Sequence, residues 1–258
     1  MKIYEILGYD GLNIGDNDLI LGVEYLKMLQ EHSKIAFLSA NIKEKKTGKP
    51  IFVPYLIKEI NGLRIGIIGL VTPDIADPVA GEIANYSIED PTMAAIEIIN
   101  GPMVDCDHII ALAHLQAAEI ESLAQVAPQI SIIIGGHERS PVLSREINRT
   151  IWVQTDAYGL SIGKLDLKFL KRNSTFVDVT QWNLIQKHID DFQRKIDDPR
   201  YVKEVDDLKR MKEMLIEQKK TMPDPTGKNT YENRLELLHP KMTSDPEIEQ
   251  LISSSKDR

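Results

Sequence analysis

The chain has 258 residues, of which 42% are hydrophobic and 27% are charged, and its formal net charge is −8 at pH 7. This length allows one large domain or two smaller ones with a sizeable core, and the single cysteine excludes a disulfide within the chain. The negative charge argues against nucleic-acid binding through a broad basic surface, and no apolar run reaches the roughly 18 residues of a membrane span. We therefore expect neither nucleic acid nor a membrane as a partner.

Residues 1–183 contain short apolar runs typical of β-strands, with helical patterns between some of them. The strand-like runs are residues 35–42, 51–60, 63–71, 108–115, 130–136, 150–155, 163–170 and 175–182. The helical patterns are residues 21–32, 91–100 and 116–127. Strands that alternate with helices indicate an α/β domain. Some runs are apolar throughout, as in strands covered on both faces, whereas later runs alternate in polarity, so we predict a mixed sheet.

Residues 184–258 differ from this first part, because charged residues are roughly twice as dense there. Their apolar residues recur at helical spacing with a break near Asp198-Pro199, which predicts two amphipathic helices. A short third helix is predicted from Pro246 to about residue 254. The apolar stripe of the first two helices consists of Ile185, Ile189, Phe192, Ile196, Val205, Leu208, Met211 and Leu215. We therefore divide the chain into an α/β domain (1–183) and a helical arm or linker (184–258).

The apolar stripe of the arm has two interpretations. In the first, the stripe packs back on the chain's own sheet. In the second, residues 184–220 contact a partner chain or a following domain, as amphipathic helices do when their own core is too small. The sequence leaves both interpretations open, although the high charge density of the arm favours a spacer or docking role over chemistry.

Three segments near strand ends carry residues suited to metal binding. Asp16 lies in a glycine-bounded turn, His114 ends an apolar strand, and His137 follows a pair of glycines after another strand. In open α/β sheets, the loops after the carboxyl ends of strands form the ligand crevice, so these side chains can converge. Carboxylates and neutral imidazoles are ligands of zinc, manganese and iron. The segments therefore indicate a candidate site for a divalent metal.

Each of these residues also has a structural interpretation. A histidine at a strand end is often only hydrogen-bonded, and acidic residues such as Asp16 and Asp18 commonly cap the start of a helix. His108 begins its strand beside Asp105 and Asp107, and we expect it at the surface. Spacing alone does not decide between a metal site and a set of structural residues.

Several short motifs follow one another along the first part of the chain. They are Gly8-Tyr9-Asp10, Gly15-Asp16-Asn17-Asp18 with Gly22, Ser39-Ala40-Asn41, Ile65 to Leu70 with Thr72-Pro73, His114, Gly135-Gly136-His137, Gln154 to Gly159, and Gly163 to Leu167. In order and spacing, they resemble the motifs of the calcineurin-like metallophosphoesterases, specifically the 5'-nucleotidase branch, over roughly residues 3–180. The resemblance implies a layered sandwich of mixed β-sheets, followed here by a helical C-terminal arm.

The chain departs from the family pattern at several positions. The family's metal-binding Asn is Asp16 here, the His that assists the leaving group is Asn17, and the acidic residue that supports that His is Ile20. The second His of the Gly-His-x-His motif is Arg139. Two further metal motifs of the family, an Asp-x-His and a Gly-Asp, belong upstream of residue 1, so we expect a fold lacking its first strands. These differences suggest a degenerate relative rather than a merely truncated enzyme.

The resemblance implies at most one weak site for a divalent metal, with Asp16, His114 and His137 as ligands. It also implies that Asn17 and Arg139 contact a phosphate-ester ligand, Arg139 as a charge-assisted donor to a phosphate oxygen. We assign no catalytic residue, because one metal cannot act as the two-metal clamp of these enzymes, and because Asn17 lacks the proton of an imidazolium.

The leading functional hypothesis is a 5'-nucleotidase-type phosphoesterase domain whose own activity is weak or lost. One alternative is a working phosphomonoesterase or phosphodiesterase with an unusual metal site. Another is a non-catalytic binding or assembly module that acts through the helical arm. Members of this branch are commonly exported, but the N-terminal residues of this chain do not form a signal peptide, so its localisation stays open.

Overall fold

The computed structural model describes residues 1–75, 83–172, 174–239 and 241–256. The described helices are α1 (Lys2–Ile6), α2 (Val23–Glu31), α3 (Pro91–Asn100), α4 (Ala117–Val126), α5 (Thr180–Ile196), α6 (Val205–Lys220) and α7 (Pro246–Lys256). The strands are β1 (Gly11–Asn13), β2 (Ala36–Leu38), β3 (Ile42–Glu44), β4 (Tyr55–Ile60), β5 (Leu63–Val71), β6 (Tyr86–Ile88), β7 (His108–His114), β8 (Ile130–Gly135), β9 (Val142–Ile147), β10 (Thr150–Gln154), β11 (Ser161–Lys168), β12 (Phe176–Asp178) and β13 (Asn229–Leu237). The described residues also form two 3-10 turns, Asn17–Leu21 and Pro199–Tyr201.

The chain forms two compact units. The first comprises Met1–Ile162 and Leu235–Arg258, and the second comprises Gly163–Arg234. The boundary predicted from composition, between residues 183 and 184, stays a prediction. No described helix combines the length and the apolar character needed to cross a membrane.

A six-stranded sheet with the order β4-β5-β7-β8-β10-β9 dominates the first unit. Its four central strands run parallel, while β4 and β9 pair antiparallel at the two edges, so the predicted mixed sheet is confirmed. The carboxyl ends of β5, β7 and β8 lie level with one another, because Val71 pairs with His114 and Ala113 pairs with Gly135. This alignment brings the turns after these strands to one edge of the sheet.

The apolar side chains of the central strands form the main core with α3 and α4. Ile68, Ala111 and Ile133, one each from β5, β7 and β8, have no solvent exposure. Helix α3 begins at an aspartate cap, since the Asp90 carboxylate accepts a hydrogen bond from the backbone N–H of Met93 (2.8 Å). The other face of these strands is covered only in part, since Ile110 and Leu112 are half-buried and Ile134 is 36% exposed. The coverage of both faces that the continuous apolar runs predicted is therefore incomplete.

A second cluster of buried residues supports the turn that carries Asp16. Strand β1 pairs in parallel with β2, and Leu19, in the 3-10 turn, is fully buried in this cluster. Asn41 is also fully buried, and its side-chain amide donates to the carbonyls of Val71 (2.7 Å) and Glu89 (2.9 Å). The Ser-Ala-Asn motif therefore has a structural role, because it ties the end of β5 to the segment before α3.

In the second unit, α5 and α6 pack against each other beside a three-stranded sheet of order β11-β13-β12. Ile185, Ile189 and Leu208 are buried as the stripe predicts, but Met211 is 52% exposed and does not belong to the buried face. The predicted break is present, since the Asp198 carboxylate accepts a hydrogen bond from the backbone N–H of Arg200 in a separate 3-10 turn.

The sequence-based bounds need correction at two places in the second unit. The strand predicted at 175–182 is limited to β12, and α5 already begins at Thr180. The region predicted as a helical arm also contains a strand, β13, which pairs in parallel with β12. The C-terminal segment is therefore helical only in part.

Candidate metal centre

The structure brings Asp16, His114 and His137 together at the carboxyl edge of the large sheet. Asp16 lies in the turn after β1, His114 is the last residue of β7, and His137 lies in the turn after β8. One ligand atom from each of the three side chains lies within 4.8 Å of the other two. All three residues are partly buried, so the cluster is shielded and still reachable from solvent.

The turn that carries Asp16 is held by hydrogen bonds between its carboxylates and its own backbone N–H groups. The Asp18 carboxylate accepts from the backbone N–H of Gly15 (2.8 Å), while Asp16 Oδ1 accepts from the backbone N–H of Asn17 (2.7 Å). Asp16 Oδ1 also lies 2.8 Å from His114 Nε2. Asp18 thus stabilises the turn, and Asp16 is the carboxylate that faces the histidines.

The two imidazoles meet edge to face. His137 Nδ1 lies 3.2 Å from His114 Nε2, and the ring planes are nearly perpendicular, at 88°. Backbone hydrogen bonds fix the segments that carry the two rings to the edge of the sheet. The N–H of Gly136 donates to the Ala113 carbonyl (3.1 Å), and the N–H of Thr72 donates to the His114 carbonyl (2.8 Å). The rings are therefore placed by the ends of three adjacent strands.

The donor set fits a divalent metal. Ligand atoms bound to one tetrahedral metal at about 2.0–2.2 Å lie roughly 3.3 Å from each other. The 3.2 Å between His137 Nδ1 and His114 Nε2 is close to that value, whereas the 2.8 Å between Asp16 Oδ1 and His114 Nε2 is a hydrogen-bond distance. One carboxylate and two imidazoles suit zinc, manganese or iron. Their role as metal ligands stays a prediction, because proximity alone also fits a hydrogen-bonded cluster.

Histidine elsewhere on the same strand is not part of this site. His108, at the other end of β7, is only 2% exposed, and its Nδ1 lies 3.1 Å from Ser131 Oγ. The expectation that His108 lies at the surface is wrong, because its side chain is buried against Ser131 of the neighbouring strand β8. Its neighbour Asp107 is also buried and accepts a hydrogen bond from the backbone N–H of Arg64 (2.8 Å).

Two residues that support the site were not assigned a role from the sequence. Gln154, at the end of β10, donates from its side-chain amide to the carbonyls of Glu138 (3.0 Å) and Ser140 (2.8 Å). The Glu138 carboxylate accepts from the backbone N–H of Ala117 (3.1 Å). The Gln-x-x-x-Tyr-Gly motif was a signal for Gln154, although its function could not be read from the motif itself.

Comparison with known proteins gives matches at low identity, among them 5'-nucleotidases and a metallophosphoesterase. The chain is 28% identical over 216 residues to a 5'-nucleotidase of Vibrio parahaemolyticus, a match that covers 70% of this chain and 39% of that protein. It is 26% identical over 165 residues to an uncharacterized metallophosphoesterase of Bacillus subtilis, covering 62% of this chain and 35% of that protein. At low identity, these matches support the 5'-nucleotidase branch of the calcineurin-like metallophosphoesterases. No family model matches the chain.

The fold agrees with this branch. A 5'-nucleotidase precursor of Thermus thermophilus superposes with a TM-score of 0.62 at 17% identity, covering 99% of this chain and 44% of that structure. The chain spans about two fifths of the length of the relatives that it matches. The match therefore does not extend the activity of the complete relatives to this chain.

Of the positions that depart from the branch pattern, Asp16 belongs to the cluster, whereas Asn17 and Arg139 do not contact its side chains. Asn17 is exposed, and only its backbone N–H contacts Asp16. Arg139 is exposed too, and its guanidinium carbon lies 5.8 Å from the centre of the Tyr158 ring. Within the described residues, neither side chain hydrogen bonds to Asp16, His114 or His137. The predicted contact of Asn17 and Arg139 with a phosphate ester stays a prediction.

Proposed function

We propose that the chain is a metallophosphoesterase domain of the 5'-nucleotidase type, which holds one divalent metal and binds a phosphate ester but turns it over slowly or not at all. The observation that carries this proposal is the convergence of Asp16, His114 and His137 within 4.8 Å at the ends of neighbouring strands. The names of the relatives support a phosphate ester, with 5'-nucleotides as the first class to test.

The three side chains would hold the ion with complementary charges. When bound, a divalent metal acts as a Lewis acid that offsets the negative charge on a phosphoryl oxygen. Asp16 provides the single anionic ligand, and its hydrogen bond from Asn17 N–H fixes the carboxylate in place. His114 and His137 provide neutral nitrogen ligands, so the site keeps net positive charge for an anionic ester.

Residues inside the chain support slow turnover. At the position where the branch has a proton-donating imidazole, the Asn17 amide has no acidic proton to give to the leaving group. General acid assistance is typically worth about 10²–10⁴-fold in rate. The guanidinium of Arg139 cannot ligate a metal, but it can donate two hydrogen bonds to phosphate oxygens. These replacements favour binding of the ester over its hydrolysis.

Metal titration of the full chain tests the ligand set. After removal of metals with a chelator, Mn(II) or Zn(II) is titrated by calorimetry into the wild type, His114→Ala and His137→Ala. We expect one ion per chain for the wild type and at least a tenfold loss of affinity in either variant. His188→Ala is the matched control, because His188 is an exposed residue on α5 and should leave binding unchanged. Equal affinity in all four proteins would contradict the proposed site.

Hydrolysis assays test the proposed lack of turnover. The metal-loaded chain is incubated with p-nitrophenyl phosphate, bis-p-nitrophenyl phosphate and 5'-nucleotides, and release of nitrophenol or phosphate is measured. We expect rates near the metal-only blank. Metal-dependent turnover that disappears in His137→Ala would favour a working phosphoesterase with an unusual metal site instead.

A further inference from the structure

The turn that carries His137 is tied down on both sides by side chains that do not belong to the metal cluster. These side chains are Gln154, at the end of β10, and Glu138, next to His137. We propose that Gln154 and Glu138 are positioning residues, which set the place of His137 relative to His114 and thereby the affinity of the site for a metal. The part of this inference that concerns metal affinity rests on the proposed function. The part that concerns the position of His137 rests on the geometry alone and is tested without metal.

Gln154 fixes the backbone after His137. Its side-chain amide donates to the carbonyls of Glu138 (3.0 Å) and Ser140 (2.8 Å), so one buried group holds two peptide units of the turn. Gln154 is 3% exposed, which means that water cannot replace these bonds easily. Because both acceptors are carbonyls, only the nitrogen of the amide can face them, and the orientation of Gln154 is determined.

Gly135 leaves the space that Gln154 needs. The two residues are paired across β8 and β10, and a Cβ on Gly135 would come within 2.4 Å of Gln154 Oε1. The amide therefore lies directly over the backbone of the strand that precedes His137. This explains a glycine at position 135 by close packing rather than by an unusual backbone angle, since Gly135 is not among the residues with positive φ.

Glu138 joins the His137 turn to the segment that follows His114. Its carboxylate accepts a hydrogen bond from the backbone N–H of Ala117 (3.1 Å), in the first turn of α4. That helix start is itself capped, because the Glu119 carboxylate accepts a hydrogen bond from the backbone N–H of Gln116 (2.8 Å). The contact therefore connects the segments after the two histidines by a route that avoids the imidazoles.

These ties matter because metal affinity depends on where the ligands are held before the ion arrives. Groups that orient metal ligands typically change metal affinity by about 10–100-fold when they are removed. Here the His137 ring has no hydrogen bond other than that to His114 within the described residues. Its position is then restrained through the backbone, by the Gly136 bond to Ala113 on one side and by the ties through Gln154 and Glu138 on the other.

The test compares metal affinity in matched variants of the full chain. Glu138→Ala removes the bond to Ala117, whereas Glu138→Gln keeps an oxygen that can accept it. Gln154→Glu is isosteric but replaces the donating amide with a carboxylate facing two carbonyls. Glu121→Ala is the control, because Glu121 lies on the same helix α4 and pairs with Arg145 instead. Calorimetric titration of Mn(II) gives Kd, and circular dichroism with thermal melting reports the fold.

We expect Glu138→Ala and Gln154→Glu to weaken Mn(II) binding about 10-fold or more, with Glu138→Gln and Glu121→Ala within about threefold of the wild type. Wild-type affinity in folded Glu138→Ala and Gln154→Glu would overturn the proposal. An equal loss in Glu121→Ala would overturn it as well, because the effect would then come from general loosening of α4. If Gln154→Glu does not fold, the Glu138→Ala and Glu138→Gln pair decides.

A metal-free measurement separates this proposal from the proposed function. The rings of His114 and His137 have centroids 4.9 Å apart, close enough for a nuclear Overhauser effect between their ring protons. If the wild type binds no metal, the proposed function fails and this signal judges the positioning role. Its loss in Glu138→Ala, with retention in Glu138→Gln, supports the proposal. An unchanged signal in Glu138→Ala and Gln154→Glu overturns it.

Discussion

Gly15 lies against the face of the His114 ring. A Cβ at position 15 would come within 3.2 Å of His114 Nδ1 and 3.3 Å of two ring carbons. These distances are shorter than ordinary van der Waals contact, so the ring could stay in place only if the backbone gave way. The glycine before Asp16 therefore allows the turn after β1 to approach the histidine that ends β7.

We expect Gly15→Ala to weaken metal binding about tenfold, because the added methyl group pushes the His114 ring away from Asp16. Gly136→Ala is the matched control, since its Cβ would lie 3.6 Å from His114 Nδ1, at normal contact distance. Calorimetric Kd values for Mn(II) with both variants check this prediction. Equal affinities would mean that the close approach at Gly15 has no bearing on the site.

Asn41→Asp should destabilise the fold strongly. The change removes the two amide donors to Val71 and Glu89 and places a buried carboxylate against two carbonyls, with an expected loss of about 2–5 kcal/mol in the free energy of unfolding. Ser39→Ala is a suitable comparison, because the Ser39 hydroxyl contacts Asn41 only at 3.5 Å and its loss should cost about 1 kcal/mol or less. Urea denaturation of the metal-free proteins measures both values, and similar midpoints would argue against a structural role for Asn41.

Two substitutions on α6 test how this helix packs against α5. Leu208 is 8% exposed and Met211 is 52% exposed on the same helix. We expect Leu208→Ala to lower the free energy of unfolding by about 2–5 kcal/mol, and Met211→Ala to change it by about 0.5 kcal/mol or less. Chemical denaturation checks the difference. If Met211→Ala lowers the solution mass and leaves the free energy of unfolding unchanged, the exposed face of α6 contacts a partner chain instead.

Cys106 provides a pH-dependent prediction. Burial raises the pKa of the Cys106 thiol above its usual value, Arg64 opposes this shift, and the carboxylates of Asp107 and Asp105 add to it. The folded chain therefore holds the thiol proton more tightly than the unfolded chain does. Stability linked to this group is fully present below the unfolded pKa, which is about 8.5, and is lost as the pH rises through the folded value.

The rate of alkylation by iodoacetamide should follow the same shift. We expect the alkylation rate to reach half of its maximum at a higher pH in the folded protein than in urea. In Arg64→Gln this pH should be higher still, because the positive charge that lowers the pKa of Cys106 is removed. A folded profile that coincides with the profile in urea would show that the thiol is not held in its neutral form.

The large sheet and the cluster could be predicted because their signals are local in the sequence. Buried parallel strands leave continuous apolar runs, and Asp16, His114 and His137 each lie directly beside a glycine or at the end of such a run. Once the strands are parallel and in register, their ends meet at one edge. The sequence could not show whether the three side chains would contact one another, since this depends on the approach of β1 to β7.

The features that could not be predicted depend on pairing across long distances. Strand β13 contains the buried polar residues Asn229, Thr230 and Asn233, and Asn233 interrupts the alternation of its apolar residues. Asn229, for example, accepts hydrogen bonds from the backbone N–H groups of Leu170 and Lys171 (2.7 Å each). Such a strand is specified by partners far away in the sequence, and its own composition is typical of a loop.

The candidate metal centre also links distant parts of the chain. Asp16 and His114 are separated by 98 residues, and His114 and His137 by 23. An ion held by all three would close two long loops at once, so its binding free energy would also be folding free energy. An ion that binds only the folded chain stabilises it further each time the ion concentration rises tenfold above Kd. The fraction of molecules that stay folded under heat or proteolysis would then depend on the free metal concentration around them, even in the absence of any catalysis.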